Sequence, residues 1–243
     1  MNRRFLVLQH LDVEHPGIFR DFIGDEGIYC DTVELDLGDE IPTEEPYDAL
    51  IVMGGPMDVW EEAQYPWLTT EKAFIREWVN IRKRPYLGVC LGHQLLADAL
   101  GGSVAKCAEA EVGVMPVALT PAGAKHAYFD GVAHRFDTLQ WHGAEVTRAP
   151  AGSEVLAASE ASAIQSLAVG TSAFSFQFHV EVTPTTVDDW AAVDSYRRAL
   201  EENLGVDGLP MFRAASEATM PAFNRMARKI YDNWRRYAFS EAD

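Results

Sequence analysis

Apolar and polar positions in the first hundred residues alternate between two textures. Residues 5–9 form a short apolar run that predicts a strand, 16–23 a short helix, and 32–35 a second strand. Residues 49–53 are apolar without a break, as expected of a parallel strand buried on both faces. Over 67–82, Phe74, Ile75, Trp78 and Val79 return at helical spacing, and 86–89 is again strand-like. This alternation predicts an α/β fold with a mostly parallel central sheet flanked by helices. After Gly101 the texture changes. Residues 114–119, 136–141, 155–158, 163–169 and 173–182 are β-like with short turns between them, which predicts an antiparallel portion. No internal repeat or low-complexity segment interrupts the pattern.

Beyond about residue 194 the chain reads as two helical stretches separated by 205–210. Within 222–237, Phe223, Met226, Ile230, Trp234 and Tyr237 recur at helical spacing, with Arg225, Arg228, Lys229, Arg235 and Arg236 between them. Two roles fit this basic amphipathic helix. It caps its own domain, or it docks a partner or a second copy, in which case its tryptophan is exposed. The division expected is a domain over 1–190 and a C-terminal helical extension over 191–243 packed on it.

The chemistry begins where the strand at 86–89 reaches Cys90, between Gly88 and Gly92, and turns at once into the helical pattern 94–100, closed by Gly101-Gly102. Strand, sharp turn and helix place Cys90 at an apex, a geometry that holds a nucleophile out from the backbone. The helix aims its N-terminal partial positive charge at the sulfur and favours thiolate. The plainer reading, a buried cysteine on a core strand, is assigned to Cys30 and Cys107.

A thiolate needs a base, and the base needs an orienting group. Residues 173–181 alternate strictly, so they predict a strand with Phe174, Phe176, Phe178 and Val180 on one face. Ser175, Gln177, His179 and Glu181 share the other, so His179 and Glu181 project from the same side. A solvated polar face is the alternative. His93 and His142 have no carboxylate at strand spacing and read as structural. His10, His15, His126 and His134 form no constellation.

Together these motifs resemble the class I (triad-type) glutamine amidotransferases, of the stand-alone GMP-synthase-glutaminase-like kind. The elbow stands here as 88–94, the late strand as 176–181, the glycine-rich loop as Met53-Gly54-Gly55-Pro56, and a further segment as Trp141-His142-Gly143. The likeness spans roughly 5–185. One departure is Val180, where the family usually has proline; it questions how rigidly that strand end is held. The resemblance implies a flavodoxin-like class I glutamine amidotransferase fold over 1–190. It implies a triad of Cys90, His179 and Glu181, and an oxyanion hole from the N–H groups of Gly55 and Leu91. Substrate contacts are implied at Gly54, Gly55, Pro56, Gln94, Gly143 and Ala144. The implied reaction hydrolyses the glutamine side-chain amide through a glutamyl thioester and yields ammonia for an acceptor. No part of the chain looks like a nucleotide-using synthetase. The acceptor enzyme is then a separate synthetase subunit, or the chain acts alone on a γ-glutamyl compound; a non-catalytic binding subunit is the third reading. A homo-oligomer is the other assembly considered.

Composition narrows the classes. The 243 residues are 48% hydrophobic, ample for a sizeable core, and the formal net charge is −17. Such a surface repels nucleic acid and anionic membranes and suits a small-molecule substrate. Three cysteines make no disulfide framework. Met1-Asn2-Arg3-Arg4 precedes only the apolar run 5–8, which reads as a first strand and not a signal peptide. No stretch approaches the roughly 20 apolar residues of a membrane span. A cytoplasmic location is expected. No metal-ligand spacing and no Walker or dinucleotide fingerprint appears, so neither metal nor cofactor is expected.

Overall fold

The first strand already shows how the molecule is layered. Phe5 and Val7 of β1 (Arg4–Gln9) enter one hydrophobic cluster, and Leu6 and Leu8 enter another on the opposite face. All four are fully buried, so this strand is covered on both sides. The computed structural model describes residues 3–42 and 46–240; Met1 and Asn2 of the N-terminal reading, and 241–243 of the C-terminal extension, lie outside the described residues.

Strand β1 pairs in parallel with β2 (Tyr29–Glu34) and β3 (Ala49–Val52). Beyond β3, β4 (Tyr86–Val89) and β9 (Ala173–Phe176) continue the parallel portion. Strands β8 (Ser166–Val169), β7 (Ser153–Ala158), β5 (Ser103–Leu119) and β6 (Arg135–Arg148) extend the same sheet antiparallel. The order is β2-β1-β3-β4-β9-β8-β7-β5-β6. One face carries α2 (Trp67–Glu77) and α3 (Leu91–Ala99); the other carries α1 (Phe19–Asp25) and α6 (Gly208–Ala238). Two helices, α4 (Thr186–Ala191) and α5 (Asp194–Leu204), join β9 to α6.

The expected α/β architecture is present, with local differences. The predicted helix 67–82 is continuous, but its last turn, Trp78–Arg82, widens to a π-helix that ends at Lys83 with φ +49°. The predicted strand 114–119 is the end of a 17-residue strand, whose first half carries exposed polar residues and shows no clean alternation. The predicted strand 173–182 stops at Phe176. There the chain bends: Gln177 N–H donates to Gln165 O (2.9 Å), and His179 exchanges backbone bonds with Leu139 on β6 (2.8 and 3.1 Å). A partner strand other than β4 captures the segment, so its alternation survives without a strand. Phe174, Phe176, Phe178 and Val180 are buried as expected, and so are Ser175, Gln177, His179 and Glu181. The solvated-face alternative is therefore excluded.

Helix α6 covers its own sheet. Phe223, Met226, Ile230 and Trp234 are buried. The Trp234 ring meets Phe5 edge-on at 5.8 Å, and its indole N–H donates to Tyr86 O at 3.0 Å. The exposed tryptophan expected of a docking helix is absent, and the arginines of this stripe lie at its margins. Pro210 falls in the helix's first turn, where its missing N–H costs nothing.

His93, on the first turn of α3, ties that helix to β9. Its Nδ1 lies 2.8 Å from Ser175 Oγ and its Nε2 3.2 Å from Ile164 O. A neutral ring protonated on Nε2 donates to that carbonyl and accepts from the hydroxyl. Burial pushes its pKa down to about 3.

Two outcomes follow. Trp234→Ala should cost about 3–5 kcal/mol, read from the urea unfolding midpoint. Between the ordinary histidine pKa of 6.5 and about 3, the unfolded chain binds a proton at His93 that the native chain refuses. Stability is therefore lost as pH falls through that window. His93→Gln should flatten the decline of melting temperature with pH over the same interval, whatever its effect at neutral pH.

Candidate active site

Cys90 has φ +53° and ψ −106°, a conformation that a residue with a β-carbon adopts only when its surroundings enforce it. The enforcement is visible. Its N–H donates to Phe176 O at 2.9 Å, and Gly92 N–H donates to Met53 O at 3.1 Å. A β-carbon on Gly88 would lie 2.7 Å from Gly92 O, and one on Gly92 would lie 2.1 Å from Val52 O. The glycines therefore let strand, turn and helix cross in near contact, with α3 starting directly after the sulfur-bearing residue.

His179 and Glu181 lie past the end of β9, not on it, yet their side chains meet. Glu181 Oε1 accepts from His179 Nδ1 at 2.6 Å. Burial alone would lower the His179 pKa; the Glu181 carboxylate and, after it, the nearby Cys90 sulfur outweigh it and hold the imidazole well above its usual value. The Trp190 ring stands edge-on to the imidazole at 4.6 Å. Val180 answers the question raised by the missing proline. Its N–H donates to Glu181 Oε2 at 2.9 Å, a bond that proline lacks the hydrogen to make. The turn is held, by a different device.

The loop after β3 lies over the elbow. A β-carbon on Gly54 would sit 3.5 Å from Cys90 Cβ, and one on Gly55 would sit 2.9 Å from Leu91 Cδ2. Among the described residues, the N–H groups of Gly55 and Leu91 donate to no acceptor. Gln94 Nε2 donates to Ala144 O and to Gln177 Oε1, both at 3.0 Å, and Gln177 Nε2 lies 3.5 Å from Cys90 Sγ. A cavity of about 490 Å³ is lined by Gly55, Pro56, Cys90, Gln94, Gly143 and Ala144. Gly54, Leu91, His179 and Glu181 are buried and do not themselves line that cavity. Helix α5 supplies the remaining wall through Ser195, Tyr196, Arg198 and Glu202.

Several neighbours escaped sequence reading. His10 does belong to a constellation: its Nδ1 bonds Gly54 O at 2.8 Å and its Nε2 bonds Glu71 Oε1 at 2.9 Å. Burial would lower its pKa, but Glu71 raises it on balance. His142 does have a carboxylate, because Glu111 stands directly across the β5–β6 pair, 3.2 Å from Nε2. Both partners come from other elements, so spacing within one segment could not find them. Glu14 and Tyr196, near Gly54, belong to the same class.

The cysteine assignments also change. Cys30 is exposed on edge strand β2, not buried, and Cys107 is half-buried. Partial desolvation and Asp31 push the Cys30 thiol up to about 11; desolvation and then Glu145 and Glu111 push Cys107 up to about 12. Neither is a ready thiolate near neutral pH. Among the described residues no cluster of His, Cys, Asp and Glu is arranged to hold a metal ion, and no helix is long and apolar enough to cross a membrane.

The chain is similar to several known proteins. It is 27% identical over 235 residues to the glutamine amidotransferase-like protein YfeJ of Salmonella typhimurium, covering 95% of each chain. It is 35% identical over 147 residues to one subunit of the glutamine-hydrolyzing GMP synthase of Saccharolobus solfataricus, over 59% of this chain and 73% of that one. A crystal structure of a glutamine amidotransferase from Thermotoga maritima superposes with a TM-score of 0.85 at 26% identity, covering 96% of this chain and 98% of the other. One from Methylobacillus flagellatus does so at 0.84 and 27%, covering 97% and 95%. Residues 20–196 match the family described as Glutamine amidotransferase class-I. This chain belongs to the class I glutamine amidotransferase family.

Proposed function

We propose that the chain hydrolyses the side-chain amide of glutamine, with Cys90 as nucleophile, His179 as acid and base, and Glu181 as the group that orients the imidazole. The observation that carries this reading is a buried imidazole near the Cys90 sulfur, with its Nδ1 held by a carboxylate at 2.6 Å. The raised His179 pKa supports an imidazolium with a proton to give to the leaving nitrogen.

The steps follow from that pairing. The thiolate attacks the amide carbon, and the carbonyl oxygen becomes an oxyanion held by the N–H groups of Gly55 and Leu91. Loss of one such donor costs on the order of 3 kcal/mol in the transition state. As the C–N bond breaks, its electron pair stays with nitrogen, which takes the proton from His179 and leaves as ammonia. A thioester remains. His179 then takes a proton from water as it attacks, and glutamate departs with the thiol regenerated. Gln94, Gly143 and Ala144 hold the amino-acid end, with Gly54, Gly55 and Pro56 along the other wall. The glutamine hydrolysis for which the related GMP synthases are named supports glutamine as substrate. In this reading a separate synthetase subunit receives the ammonia, and the reaction belongs to the cytoplasm, where free thiols stay reduced.

A second reading is favoured by one observation. The cavity is walled by the chain's own α5, with Arg198 and Glu202 at hand for a polar leaving group. The chain then acts alone as a γ-glutamyl hydrolase. Turnover of γ-glutamyl dipeptides well above that of glutamine would select this reading over the first.

Cys90→Ser should abolish ammonia release from glutamine while leaving the melting temperature near wild type; undiminished release would refute the nucleophile. An electrophilic glutamine analogue should add one label per chain, at Cys90. Peptide mass mapping that finds the label on Cys30 or Cys107 would count against the site.

A further inference from the structure

We propose that Glu14, held by Tyr196, is the subsite that receives the amine leaving group of the substrate. This rests on the hydrolase reading above and assigns a residue that its steps do not use. Glu14 closes a short 3-10 turn, Asp12–Glu14, after β1 and is only 3% exposed. Its Oε1 accepts a hydrogen bond from the Tyr196 hydroxyl of α5. Among the described residues its Oε2 is buried without a hydrogen-bond partner. That oxygen faces bare backbone: a β-carbon on Gly54 would lie 2.4 Å from Glu14 Oε2 and 3.5 Å from Cys90 Cβ. The carboxylate and the nucleophile therefore flank the same spot, with only a glycine between them. Tyr196 lines the cavity that contains Cys90, and Glu14 stands behind it, held through the Tyr196 hydroxyl.

A buried carboxylate oxygen left unpaired is costly, so it points to a ligand that donates a hydrogen bond. The direction selects which end of the substrate that is. The charged groups acting on Glu14 are first His179, then Glu181 and His10. It thus lies within electrostatic reach of the imidazole from which the leaving nitrogen collects its proton. Gln94 and Ala144, already bonded to each other, mark another wall of the cavity. The ligand class is ammonia or a primary amine. As the C–N bond breaks, the nitrogen keeps the electron pair and takes one proton from His179. A second N–H donates to Glu14 Oε2 and fixes the lone pair toward the imidazole. Glu14 gains no proton, and the sulfur–carbon bond stays intact.

The test compares glutamine with glutamic acid γ-methyl ester, whose leaving oxygen carries no hydrogen to donate. Glu14→Gln preserves volume, and the Tyr196 hydroxyl orients the new amide with its NH2 toward the site, so the acceptor is lost. We expect kcat/KM for glutamine to fall about tenfold or more, and that for the ester to change less than about threefold. Tyr196→Phe should show a smaller loss with the same bias against the amide. Equal losses on both substrates would mean a merely structural role and overturn the subsite, as would no loss on either. If Glu14→Gln fails to fold by its melting curve, the amide-to-ester ratio of Tyr196→Phe decides alone, an unchanged ratio overturning the proposal. Wild-type protein that turns over neither compound would overturn the hydrolase reading and the subsite with it; a wild type active on both isolates the question of Glu14.

Discussion

The positive-φ backbone at Cys90 is the constraint on which the rest of the site depends. Holding a residue with a β-carbon there costs on the order of 1–3 kcal/mol, so the surroundings must over-determine it. They do so with contacts that admit no other residue type. Gly92 presses against the Val52 carbonyl and Gly88 against Gly92 itself. The elbow N–H is spoken for by Phe176. Packing that tight is possible only because β3 and β4 are short, fully buried strands whose neighbours leave no slack. The strain thus rests on the stiffest part of the sheet.

Around this elbow the interior holds an unusual density of ionisable groups: His179 with Glu181, His10 with Glu71, His142 with Glu111, and Glu14 with Tyr196. Each buried charge would be prohibitive alone; His179 meets its partner two residues on, and the other three pairs join distant parts of the chain. The pairs also brace the loops that meet at the site. His10 holds the Gly54 carbonyl, so the glycine loop is pinned through Glu71 to α2. His142 accompanies Ala144 through its other nitrogen at 3.0 Å. The main chain braces the site as well: the Val180 N–H holds Glu181 Oε2.

The C-terminal helices serve two purposes. Helix α6 seals one face of the sheet with Trp234 and its neighbours. Helix α5, packed with α4 through Trp190, Tyr196 and Trp141, brings side chains to the wall of the cavity. The segment is therefore joined to both the core and the cavity, and its apolar stripe is buried against its own sheet.

Periodicity and composition alone determined the α/β class, the elbow at Cys90, and the pairing of His179 with Glu181, because each is written in neighbouring residues. Two residues of a bent segment still project together, so the pair survived even though the strand beneath it ended at Phe176. Gln94 and Ala144 could be named separately from their motifs, but their hydrogen bond required the fold. Only the tertiary structure decided that Glu71 meets His10, that Glu111 meets His142, that Glu14 meets Tyr196, that Cys30 is exposed, and that Trp234 is core. Those contacts join residues far apart in the chain, and no local spacing encodes which carboxylate will meet which imidazole once the sheet has brought its strands side by side.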